Sequence, residues 1–175
     1  MSQQDYAAET DESVGGASAA AGKYLTFELG DEYYGLEILK VQEIIGMQPI
    51  TRVPRTPQFV RGVINLRGKV IPVIDLRAKF DLPQQEDTDR TCTIVVQIAQ
   101  KGQQVITGII VDEVSEVMDI SADQIQPPPA LGTSVDTEFI MGMGKVGEHV
   151  VMLLDIDRAL SSGEFEAIGQ AAQQV

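Results

Sequence analysis

Residues 59–80 decide the fold: Phe59-Val-Arg-Gly-Val-Ile-Asn-Leu-Arg-Gly-Lys-Val-Ile-Pro-Val-Ile-Asp-Leu-Arg-Ala-Lys-Phe80. Two dense apolar runs meet at a tight turn around Gly68-Lys69, the pattern of a β-hairpin. The second run closes on Asp75, a residue type that caps a short helix by accepting backbone N–H bonds. Asn65 and Arg67 break the apolar pattern. They are polar residues within the first run and on one face of it, because strand side chains alternate. Polar groups in such a place need a partner inside the fold or outside it.

The same signal extends in both directions. Short strands are expected at 24–29, 33–37, 41–46, 62–67, 70–74, 91–99, 105–111, 116–120, 140–145 and 150–154, with turns at Gly30-Asp31, Lys101-Gly102 and Gly147-Glu148. Residues 1–22 are rich in Ala, Gly, Ser, Gln and acids and read as a disordered acidic tail. Residues 163–175 read as a C-terminal helix or tail. Pro127-Pro128-Pro129 opens an extended loop.

The strands contain an internal repeat. Gly35-Leu-Glu-Ile-Leu-Lys-Val-Gln-Glu-Ile-Ile45 aligns with Gly108-Ile-Ile-Val-Asp-Glu-Val-Ser-Glu-Val-Met118, and the stretch from Gly62 to Phe80 aligns with that from Gly142 to Leu160. The folded part, 23–162, is therefore expected to be two copies of a unit of about five strands, one at about 23–85 and one at about 90–160. A unit that size suits a small barrel closed on itself to hide its edges. Each copy is small, so the two are expected to share an interface. Whether strands are exchanged between them is open.

The repeat also sorts structural from functional residues. Asp75 and Asp155 recur, which marks them as caps. Glu43 and Glu116 recur in strands. Arg67 faces Gly147 in the alignment, and Asn65 faces Lys145, so neither polar residue belongs to the shared scaffold. In the strand at 41–46, Val41, Glu43 and Ile45 are expected on one face, with Gln42 and Ile44 on the other. Arg67 is expected to pair with Glu43 beside an apolar surface that includes Val41.

Composition bounds the function classes. The chain has 175 residues, 43% hydrophobic, 5% aromatic and no Trp, so its core is aliphatic and leans toward strands. A formal charge of −13 opposes nucleic acid or an anionic membrane as main partner. That charge is uneven. Arg52, Arg55, Arg61, Arg67, Lys69, Arg77 and Lys79 crowd 49–80 against the one acid Asp75, while 111–138 holds acids and no base. Such polarity suits head-to-tail association. Cys92 is the single cysteine, set in a strand pattern, and reads as a buried structural thiol. His149 is the single histidine, and no phosphate-binding loop or nucleophile elbow is present. No enzyme activity, cofactor or metal site is expected, and neither a secretory signal nor a membrane-spanning run is found.

Phe27-Glu-Leu-Gly-Asp-Glu-Tyr-Tyr-Gly-Leu-Glu-Ile38, Val41-Gln-Glu-Ile-Ile45, Arg61-Gly-Val-Ile-Asn-Leu-Arg-Gly-Lys-Val-Ile-Pro-Val-Ile-Asp-Leu76 and Gly108-Ile-Ile-Val-Asp-Glu-Val114, in this order and spacing, resemble the CheW family of chemotaxis coupling proteins. The likeness spans about 23–161. It implies a mainly all-β fold of two SH3-like five-stranded β-barrel lobes side by side, with short helices. It also implies a non-enzymatic adaptor that couples methyl-accepting chemoreceptors to the histidine kinase CheA within the signalling array. Such a protein is cytoplasmic and is recruited to membrane-associated receptors. A coupling protein of another chemosensory pathway, such as surface motility, is the alternative. The family's receptor groove maps onto Val41, Glu43, Ile44, Gly62 and Arg67, to which the repeat adds Asn65. The basic residues Arg52, Arg55 and Arg61 are expected on the kinase side.

Overall fold

The computed structural model describes residues 21–128 and 139–160. Most of the expected N-terminal tail and all of the expected C-terminal segment 163–175 lie outside the described residues. The chain is mainly β. Its strands are β1 (Gly22–Leu29), β2 (Glu32–Glu37), β3 (Val41–Gly46), β4 (Val60–Leu66), β5 (Lys69–Asp75), β6 (Cys92–Gln100), β7 (Gln103–Val111), β8 (Glu113–Ile120), β9 (Ile125–Gln126), β10 (Ile140–Val146) and β11 (His149–Leu154). The two-residue β9 is too short to carry a period and was not foreseen. β1 starts at Gly22, inside the stretch read as tail.

Two sheets form, ordered β8-β1-β2-β11-β10-β9 and β3-β6-β7-β5-β4. They are not the two halves of the chain. Hairpin β1–β2 joins the later strands, and hairpin β6–β7 joins the earlier ones. The division at about 23–85 and 90–160 therefore follows sequence but not sheet. The reason is physical: alternation fixes which face of a strand is buried, not which strand lies beside it. Each exchanged hairpin makes its sheet's parallel contact, β2 on β11 and β7 on β5. The sheet orders superpose strand for strand, with β3, β6, β7, β5 and β4 matching β8, β1, β2, β11 and β10.

The exchange sets where the core lies. Phe27, Leu29 and Leu36 from one sheet pack with Ile74, Ile94, Ile98 and Ile109 from the other in a shared apolar cluster. Phe80 stacks on Phe139 with centroids 4.8 Å apart and meets Tyr34 at 5.7 Å, adding an aromatic bridge. Smaller clusters lie on the far faces, around Ile71 and Val95 in the five-stranded sheet and around Tyr24 and Leu153 in the six-stranded one. Burial on both faces explains runs such as Ile94-Val95-Val96, all at 0% exposure.

The short helices Leu76–Lys79 and Ile156–Ala159 follow β5 and β11. Asp75 accepts from the backbone N of Arg77 at 3.0 Å and Ala78 at 3.4 Å, and Asp155 accepts from the N of Arg158 at 3.1 Å. Both are caps, as the repeat required.

One buried group lacks compensation. The Thr107 hydroxyl, in β7, has no hydrogen-bond partner among the described residues. Replacing it by a methyl removes a desolvated oxygen at almost constant shape. Thr107→Val is expected to raise the unfolding free energy by about 1 kcal/mol, read as a higher urea midpoint at unchanged m-value.

Candidate functional site

The hairpin that opened the sequence reading turns one residue earlier than its pattern implied. Leu66 pairs with Lys69, so the two-residue loop is Arg67-Gly68, with φ of 52° and 87°. Arg67 is therefore a turn residue, not a strand residue sharing a face with Asn65. Two positive φ values in a two-residue hairpin loop are the signature of a type I′ turn, which favours Asn, Asp or Gly. Arginine is an unfavourable choice there, since a Cβ crowds the following carbonyl in left-handed backbone. Gly147, its counterpart, meets the same demand at φ 62° without that penalty.

Asn65 is explained by the same turn. Its Oδ1 accepts from the Gly68 N–H at 2.8 Å, an internal partner that fixes the loop. Asn65 thus has its partner inside the fold, at a position where the repeat places Lys145.

The Arg67 side chain reaches Glu43. Nη1 donates to Oε2 at 2.5 Å and Nη2 to Oε1 at 2.6 Å, a bidentate fork. β3 and the β4–β5 turn belong to opposite edges of the five-stranded sheet, so the pair spans its two margins. Hydrogen bonding to Arg67 holds the Glu43 carboxyl below its ordinary value, and the same bond raises the guanidinium. A lowered carboxyl keeps its charge at neutral pH and loses it only as pH falls through that depressed value. Arg67 is exposed, and water and salt screen such a pair. Stability alone does not account for a strained arginine held there.

The margins are also joined by backbone. Thr51 and Val63 exchange N–H···O bonds of 2.9 and 2.8 Å. Gly62 makes this approach feasible. It has φ 142°, and a Cβ on it would stand 2.1 Å from the Thr51 carbonyl oxygen. Gly62 thus places neighbouring groups and offers no side chain of its own.

β3 departs from the expected alternation. Val41 pairs with Val96 and Glu43 with Val95, leaving Gln42 as a bulge. Because paired residues share a face, Val41 and Ile44 lie together opposite Val96 and Ile94, while Glu43 and Ile45 lie on the other face. Val41 is half-buried against the shared core, and Ile44 is 45% exposed. Leu39, in the turn just before β3, is 92% exposed and was missed. Its signal was available: Ile38-Leu39 breaks the alternation where β2 hands over to β3.

The basic residues divide. Arg52 and Arg55 are exposed. Arg61 is tied to Asp75 at 3.1 Å and Asp87 at 3.0 Å, so its charge is already matched within the fold. Cys92 is half-buried, and burial pushes its thiol up, away from thiolate chemistry. Among the described residues, no group of three or more His, Cys, Asp or Glu side chains is placed to hold a metal ion. No helix among them is long and apolar enough to cross a membrane.

Known proteins match this arrangement along nearly the whole described chain. The family model of the CheW-like domain matches residues 23–164. Chemotaxis protein CheW of Klebsiella aerogenes is 42% identical over 151 residues, covering 86% of this chain and 89% of the relative. Protein FrzA of Myxococcus xanthus is 25% identical over 162 residues, covering 91% and 98%. The crystal structure of scaffolding protein TtCheW from Thermoanaerobacter tengcongensis superposes with a TM-score of 0.72 at 36% identity, covering 82% of this chain and 95% of that one.

Proposed function

The chain belongs to the CheW-like domain family of chemotaxis scaffold proteins, and from that premise we propose that it couples methyl-accepting chemoreceptors to the histidine kinase CheA. It does so as a non-enzymatic adaptor in the cytoplasm, within a receptor array. The carrying observation is the Arg67–Glu43 fork, held in a strained turn at the margins of the sheet whose edge strand also carries exposed Ile44. An amphipathic helix docks through a few apolar anchors with a charged rim, and this surface supplies both. A receptor's cytoplasmic tip, lying on Val41, Ile44 and Leu39, meets the fork at its edge. Gly62 and Asn65 support the surface from behind by fixing the Thr51 contact and the turn. Exposed Arg52 and Arg55 are suited to the kinase, and Arg61 beside them brings a charge already shared with Asp75 and Asp87. The alternative pathway draws on the weaker likeness to FrzA.

Reconstitution tests the reading. The protein is added to receptor membranes with the cognate kinase, and receptor binding and autophosphorylation are measured. Arg67→Glu and Glu43→Arg are each expected to reduce receptor binding at least about tenfold, a loss typical of a disrupted charged rim. The double variant regains most of it, because the fork is re-formed in reverse. Single variants that bind as the parent does, or a parent that leaves kinase output unchanged, overturn the proposal.

A further inference from the structure

The six-stranded sheet repeats the margin geometry of its counterpart but lacks the arginine. Val114 pairs with Phe27 and Val117 with Leu25, so Ser115 and Glu116 oppose Thr26 as Gln42 and Glu43 oppose Val95. The bulge recurs, and Val117 is 47% exposed where Ile44 is 45% exposed. Gly147 stands in the turn position of Arg67 and sends no side chain across to Glu116. The Glu116 carboxylate has no hydrogen-bond or ion-pair partner among the described residues.

What lies beneath also differs. In the five-stranded sheet, Ile45, Ile71, Val95 and Ile106 pack together as an apolar cluster. Their counterparts Met118, Val151 and Tyr33 also belong to an apolar cluster, but with Thr26 in place of Val95 they line an open cleft of about 160 Å³, with Glu116 and His149 also on its walls. The Tyr33 and His149 rings meet edge to face with centroids 4.8 Å apart. An apolar and aromatic wall with one carboxylate at the rim suits a planar, weakly hydrated cation. Guanidinium stacks on rings and grips a carboxylate with two parallel N–H bonds, whereas an ammonium is compact and strongly hydrated.

We propose that this cleft receives an arginine side chain from a partner protein, paired with Glu116 as Arg67 is paired with Glu43. The guanidinium completes in trans the fork that the other sheet makes in cis, and its stem lies on Tyr33 and Met118. The site is separate from the receptor surface and does not depend on that assignment.

His149 reports on the site, because it is the chain's single histidine and gives one set of ring signals. The full chain is titrated at fixed pH with N-acetyl-arginine methylamide, then with the lysine analogue, while those signals are followed by NMR. A saturable shift is expected with the arginine probe, about tenfold weaker with the lysine probe. Glu116→Gln is expected to remove the shift, and Glu43→Gln to leave it. Gly147→Arg, which supplies the side chain from the protein's own turn, is expected to block the probe. The absence of a saturable shift, equal shifts with both probes, or an unchanged response in Glu116→Gln overturns the proposal.

Discussion

Gly62→Ala is expected to lower the unfolding free energy by about 3–5 kcal/mol, a large share of the stability of an ordinary domain. The estimate rests on a specific collision. The new Cβ would lie 2.1 Å from the Thr51 carbonyl oxygen and 2.8 Å from its carbonyl carbon, and neither is the end of a flexible side chain. The backbone at φ 142° adds strain for any residue with a Cβ. Relief requires Thr51 to move away, which breaks the 2.9 and 2.8 Å bonds that join the two margins of the five-stranded sheet. Urea unfolding measures the loss, and faster exchange of the Val63 amide locates it. A change below about 1 kcal/mol would mean that the margin yields freely and that the closure is not rigid. Receptor binding is expected to fall along with stability, because the same margin carries Arg67.

Gly62 also shows where sequence reading succeeds and where it stops. The glycine, the apolar runs on either side of it and the cap at Asp75 are local features, and their patterns were legible. The repeat was legible too, because spacing holds within each block: Gly35 and Ile45 match Gly108 and Met118 at one offset, and Gly62 and Asp75 match Gly142 and Asp155 at another. Sheet membership was not, since β1–β2 and β6–β7 are self-contained hairpins whose own alternation is satisfied beside either partner. The faces of β3 were hidden for a related reason. A bulge at Gln42 inserts one residue, and every side chain beyond it changes side. The turn register was misplaced because Arg67 occupies a position where the rules for type I′ turns place Asn, Asp or Gly. That violation marks the candidate site. A residue that breaks local preference, and whose repeat counterpart obeys it, is retained for something other than folding.

The second large effect concerns how the sheets are held to one another. At Asp112 the chain leaves β7, in the five-stranded sheet, and enters β8, in the six-stranded one. Arg77, from the short helix after β5, grips this crossing residue, with Nε to Oδ1 at 2.9 Å and Nη2 to Oδ2 at 2.8 Å. Asp112 also accepts from the Gly30 N–H at 2.8 Å in the β1–β2 turn, and Arg77 donates further to the Pro83 carbonyl and to Gln85. One ion pair thus ties a helix, a crossover and a turn from both sheets. The repeat contains the same device with its charges reversed. Lys40, in the crossover from β2 to β3, meets Asp157 of the second short helix at 2.6 Å, and Asp157 accepts from the Ala99 N–H at 2.8 Å.

The Arg77 side chain is only 12% exposed and Asp112 29%, against 29% for each partner of the Lys40 pair, so the clamps differ in weight through the arginine. Removing one member of a desolvated pair strands the other, which costs more than the pair contributes. Arg77→Ala is expected to destabilise by about 2–4 kcal/mol. Arg77→Lys is expected to lose about half of that, because a lysine keeps the charge but cannot present the planar fork. Lys40→Ala is expected to lose less than Arg77→Ala. Bonding to Asp112 raises the Arg77 guanidinium further, so the cation is fully present below its unfolded value and is lost only in strong alkali. The deficit of Arg77→Ala should therefore be independent of pH around neutrality. Urea unfolding of the three variants at neutral pH and at both low and high salt decides the matter. A buried clamp resists screening, so a deficit that disappears at high salt would show that Arg77 and Asp112 form only a surface contact.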